Sequence, residues 1–427
     1  MKIFEYPSPL VWKELLQRPV FDSSGLQATV QNILKEIQRN GDEAVRSFTL
    51  SLDKVLLNDF AVPESAIVSA GSNIIPELKN AIQVAVNNIT LFHEKQLQTD
   101  EKIETMPGIV CWRKSVPIEK VGLYIPGGSA PLFSTLLMLA IPAKIAGCKE
   151  VIVCTPPRKD GTVDEVILYA ASLLGIKTIF SIGGVQAIAA MAYGTETIPQ
   201  VYKIFGPGNQ YVTAAKQFIQ QEGIAIDMPA GPSEVCILAD ETANAAFVAA
   251  DLLSQAEHGP DSQVLLVTTH DSLTNLVLAE IENQLKVLPR KALAEKSLTN
   301  SKCIVLPNMK EAIALVNAYA AEHLIIHCKQ PELIAEQITN AGSVFLGAYS
   351  PESVGDYASG TNHTLPTNGF AKAYSGVSVD SFVKKITFQQ LSQQGLTNIG
   401  TSVAVMAAAE GLDAHRNAVQ IRLNTLQ

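Results

Sequence analysis

From Val121 onward the chain repeats one beat: a short apolar run, a glycine-rich turn, then a helical pattern. Val121-Gly-Leu-Tyr-Ile-Pro-Gly-Gly leads into a helix over 136–146. Residues 150–155 read as a strand followed by a helix over 163–174. The unit recurs as strand 178–182, Gly183-Gly184 and a helix from Gln186, and again as strand 201–205, Gly206-Pro-Gly-Asn and a helix over 212–219. Strands that alternate with helices dictate a parallel sheet with helices on its faces.

A second series starts after Ser233. Strands at 234–239, 263–268, 303–306, 324–328 and 343–346 alternate with helices at 244–258, 272–287, 311–321 and 332–341. That is enough material for a second α/β unit. The segment before Val121 reads as helical, over 24–38 and 65–95, and is expected to join this second unit, because helices alone leave their apolar faces uncovered. After about Val377 the chain reads as helical again, and a terminal arm of that length is expected to pack on a second copy. The expected fold class is α/β: two Rossmann-like parallel-sheet domains with a helical N-terminal segment and a helical C-terminal arm. The expected division is a helical segment over 1–20, a discontinuous α/β domain over 21–120 plus 234–377, an α/β domain over 121–233, and a dimerisation arm over 378–427.

Bulk properties bound the partners. A chain of 427 residues exceeds what one compact core holds. Its net charge of −9 disfavours non-specific nucleic-acid binding. The six cysteines are scattered, with no C-x-x-C pair, and read as small buried hydrophobes of a reducing compartment. The amino terminus lacks the basic and apolar regions of a signal peptide. The most apolar run, 136–145, is broken by Pro142 and Lys144. The expectation is a soluble, cytoplasmic chain with neither a membrane nor a nucleic acid as partner.

Seven histidines can be read one by one. His93 and His270 read as surface residues, and His327 as a packing residue inside a strand. Gln255 and His258, spaced i, i+3 in Ser254-Gln-Ala-Glu-His-Gly-Pro, share one face of a final helical turn that Gly259-Pro260 ends. An amide oxygen and an imidazole there make half of a metal site, or an ordinary helix end with a favourable histidine. Residues 350–366 lack periodicity, and loops of that length inside a domain are usually functional. This loop offers Asp356, Asn362 and His363. Glu322-His323 can supply two bases of different pKa if the pair sits in a turn, and is otherwise a charged helix end. Glu410 and His415 flank Gly411 and Asp413, the cap residues of a helix–turn–helix corner. The turns at Pro126-Gly-Gly-Ser, Gly183-Gly184 and Phe205-Gly-Pro-Gly-Asn can meet a dinucleotide phosphate, but none matches G-x-G-x-x-G.

Together these segments resemble the histidinol dehydrogenase family over most of the chain. The resemblance rests on Val121-Gly-Leu-Tyr-Ile-Pro-Gly-Gly-Ser-Ala-Pro, Lys203-Ile-Phe-Gly-Pro-Gly-Asn, Ile226-Asp-Met-Pro-Ala-Gly-Pro-Ser-Glu, Ser254-Gln-Ala-Glu-His-Gly-Pro-Asp-Ser-Gln, Glu322-His323-Leu-Ile-Ile and Gly355-Asp-Tyr-Ala-Ser-Gly-Thr-Asn-His. It implies the oxidation of L-histidinol to L-histidine through L-histidinaldehyde with two NAD, the last step of histidine biosynthesis. It implies one zinc per subunit, held by Gln255, His258, Asp356 and His415. His323 is implied as the base for the alcohol proton, neutral near pH 7, and Glu322 as the base for water. Ser233, His363 and Glu410 are implied at the substrate, along with His323 and the four metal ligands. Tyr124, Gln186 and Asn209 are implied at NAD. The resemblance also implies a homodimer whose sites the partner's C-terminal arm completes. Two other classes, a zinc hydrolase and a non-catalytic binding protein, lack a dinucleotide and a pair of bases respectively.

Overall fold

The structure is a computed structural model that describes residues 1–19, 24–127, 131–229 and 231–426. Gly128 and Ser129 of the first glycine-rich turn therefore lie outside the described residues, as does Ala230 of the Ile226–Glu234 motif.

Both expected parallel sheets are present. The smaller has five strands in the order Thr178–Ser181, Glu150–Thr155, Lys120–Tyr124, Lys203–Phe205 and Ala225–Ile226. The larger has six, in the order Lys2–Glu5, Lys302–Val305, Gln263–Thr268, Glu234–Ala239, His323–His327 and Ser343–Leu346. Each sheet reverses its winding direction once. In the smaller sheet the reversal falls between Lys120–Tyr124 and Lys203–Phe205; in the larger it falls between Glu234–Ala239 and His323–His327. Such reversals open crevices in doubly wound sheets.

Four expectations are corrected. The first 20 residues are not simply helical: Lys2–Glu5 is a strand that pairs parallel with Lys302–Val305 and satisfies what would otherwise be an open sheet edge. Among the described residues of that segment, only short helices follow it, at Pro9–Val11 and Trp12–Leu15.

The helices before Val121 cover the smaller sheet's unit, not the larger one's. Leu26, Val30, Ile33, Leu34 and Ile37 share a core with Phe180, Ile188 and Ile204, while Ile82, Ala85 and Ile89 share one with Leu136, Leu137 and Ile141. The physical reason lies in the helices Phe133–Ala146 and Gly184–Tyr193, which are buried along nearly their whole lengths. A helix apolar all round needs cover on its outer side too, and the N-terminal helices Ser24–Phe48 and Pro76–Glu94 supply it.

The tail after Val377 is not all helix. Val383–Leu391 pairs antiparallel with Ile109–Pro117, which pairs with Lys102–Met106, making a third sheet outside both domains. The helices Gln393–Ala409 and Asp413–Asn424 follow. At the corner between them Gly411 adopts φ 73°, as a helix-ending glycine should, but Leu412 is the cap and Asp413 is already helical.

Residues 350–366 are not uniformly irregular, because Glu352–Tyr357 forms a short helix. Among the described residues no helix is long and apolar enough to cross a membrane.

Candidate active site

A cavity of about 340 Å³ lies between the two parallel sheets. The smaller sheet contributes Pro126, Pro207 and Asn209, from turns leaving the carboxyl ends of the two strands that flank its reversal. The larger sheet contributes the opposite ends. Ser233 precedes Glu234–Ala239, Glu322 precedes His323–His327, and His323 opens that strand.

Gln255 and His258 reach the same place because the helix Ala245–Ala256 runs back after its strand, so its end returns to the strand's beginning. Glu352 and Asp356, four residues apart on Glu352–Tyr357, face the cavity from a third direction, and His363 closes it. An adjoining cavity of about 250 Å³ shares Asn209, Ser233, His258, Glu322 and His363, and adds Lys216 and Asp227.

The turn on the smaller sheet is tightly held. Gly206 has φ 129°, and a Cβ there would meet the Tyr124 carbonyl oxygen at 2.1 Å, so only glycine lets the turn pass. Asp227 Oδ2 accepts from Gly206 N at 2.8 Å, and Lys216 Nζ donates to Gly206 O at 2.8 Å. Lys216 and Asp227 are themselves paired and buried. Asn209 caps the next helix, its Oδ1 accepting from Tyr211 N at 3.0 Å and Val212 N at 3.2 Å. Its side-chain NH₂ remains for a ligand.

Glu322 and His323 are both buried. Glu322 Oε2 accepts from the Glu234 amide at 2.9 Å, and Arg18 in turn grips the Glu234 carboxylate at 2.8 and 3.0 Å. His323 Nδ1 donates to Glu234 O at 3.3 Å. Its Nε2 lies 3.3 Å from Asp356 Oδ1, yet neither atom has a hydrogen-bond partner. Burial raises the pKa of Glu322, with His323 pulling the other way. Burial lowers the pKa of His323, but Glu322, Asp356 and Glu352 outweigh it and raise the value overall. The group titrates as a unit. Three carboxylates around His323 favour its imidazolium form.

His363 Nδ1 donates to Asp356 O at 2.9 Å, and its Nε2 lies 3.1 Å from Thr135 Oγ1. Burial lowers the pKa of both His258 and His363.

The remaining expected residues fall elsewhere. Tyr124 and Gln186 are buried and line neither cavity. Tyr124 Oη accepts from Gly184 N at 3.1 Å, and burial pushes its phenol up to about 12. Gln186 Nε2 donates to Asp53 at 2.9 Å, leaving Oε1 buried and without a partner. Glu410, just past the end of Gln393–Ala409, and His415, on Asp413–Asn424, are exposed and lie away from both cavities.

His93 is buried rather than exposed, with Nδ1 2.8 Å from Ile89 O and Nε2 3.5 Å from Asn362. His327 is a packing residue whose Nε2 accepts from Asn244 N at 3.4 Å, and His270 is exposed.

Sequence reading missed Glu352 and Lys216. The i, i+4 spacing of Glu352 and Asp356 was the available signal for the first; burial of a lysine inside the helix Gln210–Gln221 leaves none.

The cavity holds an amide, an imidazole and a carboxylate, in Gln255, His258 and Asp356. Such donors suit a divalent metal, and the orphaned, buried Asp356 Oδ1 is a lone pair awaiting a partner. Among the described residues no group of three or more His, Cys, Asp and Glu side chains is arranged to hold a metal ion.

A family model described as histidinol dehydrogenase matches residues 16–423. The chain belongs to the histidinol dehydrogenase family. Within that family it is 60% identical to a histidinol dehydrogenase of Bacteroides fragilis over the full length of both chains, and 58% identical to one of Bacteroides thetaiotaomicron, again over both full lengths. The crystal structure of a histidinol dehydrogenase from Elizabethkingia anophelis superposes with a TM-score of 0.97 at 54% identity, covering 100% of this chain and 98% of that one.

Proposed function

We propose that the chain oxidises L-histidinol to L-histidine in two steps through L-histidinaldehyde, in the cytoplasm, as a homodimer using one zinc per subunit and two NAD. Glu322 and His323 carry this reading: two adjacent ionisable groups, both buried, delivered into a cavity opposite Asn209 and beside Gln255, His258 and Asp356. Membership of the family supports it.

Zinc would be held by Gln255, His258 and Asp356 of one chain and His415 of a second copy, and when bound it supplies a Lewis acid that orients the amino alcohol. NAD would supply the hydride acceptor; Asn209, lining the cavity past a carboxyl end of the smaller sheet, would contact it, with Tyr124 and Gln186 behind that wall.

His323 takes the hydroxyl proton as the carbinol carbon loses hydride. It does so only when neutral; were Asp356 engaged as a ligand, one of the three carboxylates that favour the imidazolium would be withdrawn. Glu322, held by the Glu234 amide, takes a proton from the water that adds to the aldehyde. The hydrate loses a second hydride and leaves as the carboxylate. Ser233 and His363 contact the substrate within the cavity.

The C-terminal helices expose Val405, Met406, Leu412 and Ile421, an apolar strip that suits contact with a second copy. Docked there, the arm would bring Glu410 and His415 to the partner's site.

The test is NADH production from L-histidinol by zinc-loaded protein. About two NADH per histidinol are expected, abolished by a chelator and restored by zinc; no NADH from folded, loaded protein overturns the reading. A second prediction separates the bases. Glu322→Gln should spare alcohol oxidation more than aldehyde oxidation, measured with histidinol and histidinaldehyde separately. Equal losses on both substrates would remove the assigned division of labour.

A further inference from the structure

Glu352 is buried, lines the cavity, and has no part in the proton transfers above. Its Oε1 accepts from Ser254 Oγ at 2.7 Å, while its Oε2 has no partner. Ser254 neighbours Gln255 on the last turn of Ala245–Ala256, and Glu352 lies four residues before Asp356 on its own helix. The Glu352–Ser254 bond therefore ties together the two elements that present Gln255, His258 and Asp356.

A second contact concerns the Gln255 side chain itself. Its amide can be placed in two ways. With oxygen toward Glu352, two acceptors face each other. Turned the other way, Nε2 donates to Glu352 Oε1 at 3.2 Å and Oε1 accepts from Glu234 N at 3.1 Å. As first placed, Nε2 reaches Glu322 Oε2 only at 3.5 Å and faces His323 Nδ1, itself a donor to Glu234 O, at 3.4 Å, so hydrogen bonding favours the second orientation. An amide donates only through nitrogen and ligates a cation only through oxygen. Whatever fixes its nitrogen therefore fixes which end is offered as a ligand.

We infer that Glu352 is a positioning residue for the metal site: its Oε1, shared between Ser254 Oγ and the Gln255 amide nitrogen, sets the orientation in which Gln255 presents its carbonyl oxygen to the cation. The inference rests on the zinc reading. It assigns Glu352 no direct contact with the metal. Partners that orient metal ligands are worth as much as about 10–100-fold in metal affinity.

Geometry makes the choice of variants informative, because both bonds converge on one oxygen of Glu352. Glu352→Gln can keep that acceptor while losing the negative charge. Glu352→Met keeps the approximate size and loses the acceptor. Zinc affinity of the wild type and both variants would be measured by competition with a chromogenic chelator, alongside the thermal midpoint of the metal-stripped proteins.

E352M is expected to bind zinc about 10–100-fold more weakly, with E352Q within about threefold of wild type and metal-free midpoints similar for all three. Wild-type affinity in E352M overturns the inference. So does E352Q binding as weakly as E352M, which would make Glu352 a charge or a direct ligand. If E352M does not fold, Glu352→Ala, which leaves room for water, is read in its place with the same two criteria. A wild type that retains no zinc overturns the zinc reading and this inference with it, whereas normal wild-type binding with an unaffected variant overturns this inference alone.

Discussion

Replacing His323 with Gln should slow histidinol oxidation by about 10²–10⁴-fold, the usual contribution of a positioned general base. The amide can still donate to Glu234 O, as His323 Nδ1 does at 3.3 Å, so the strand start and the cavity wall keep their shape. What is lost is the proton acceptor at Nε2, the atom that lies beside Asp356 without a hydrogen bond. The KM for histidinol should change far less than kcat, since the cavity's remaining walls are untouched.

A further consequence concerns Glu322. His323 pulls the Glu322 pKa down against the effect of burial. Removing it leaves burial less opposed, so Glu322 protonates at higher pH and aldehyde oxidation shifts its pH dependence upward. Steady-state kinetics across pH, with alcohol and aldehyde as separate substrates, check both statements. A His323→Gln enzyme with near-normal kcat would sink the role assigned to this residue.

How much of this was legible in the sequence follows from what each signal depends on. The two parallel sheets were legible because strand, turn and helix alternate locally, and local alternation leaves few topologies. The allocation of the N-terminal helices was not, since it depends on which sheet has an uncovered layer. A clue existed in Gly184–Tyr193 and in Phe133–Ala146, whose apolar residues fall on every face and so call for cover on the outside as well. The antiparallel sheet was missed for a related reason. Its strands Ile109–Pro117 and Val383–Leu391 pair residues far apart in sequence, Lys114 with Ile386 among them, and nothing local announces such a partner. Pro107-Gly108, with Gly108 at φ 82°, did mark the hairpin turn into the first of them.

For the site, residue types were legible and positions were not. Among the residues lining the cavity, Asn209 lies past a carboxyl end, where doubly wound sheets usually take ligands, whereas Ser233, Glu322 and His323 sit at amino ends. The cavity is made where the carboxyl ends of one sheet meet the amino ends of the other, and only the packing of two domains decides that. Adjacent residues of a strand point to opposite faces. Glu322 and His323 escape this because only His323 belongs to the strand, and Glu322 turns in just before it.

His258→Asn and His415→Asn should each lose zinc and turnover together, and a mixture of the two should regain activity. One copy's Gln255, His258 and Asp356 line the cavity, whereas His415 is exposed on the helix Asp413–Asn424 and reaches neither cavity of its own chain. If the fourth ligand comes from a second copy, a mixed dimer has one site with both defects and one with none. Random reassortment then returns about a quarter of wild-type activity. The variants would be purified apart, unfolded or dissociated together, reassociated, and assayed for NADH production and bound zinc against each variant reassociated alone. Full loss in each parent with recovery in the mixture requires that His258 and His415 serve one site from different chains. Two outcomes would refute the arrangement: an active, zinc-free His258→Asn protein, or a mixture of demonstrated heterodimers no more active than its parents. In the second case His415 must act within its own chain, by a movement of the C-terminal helices that carries it to the cavity.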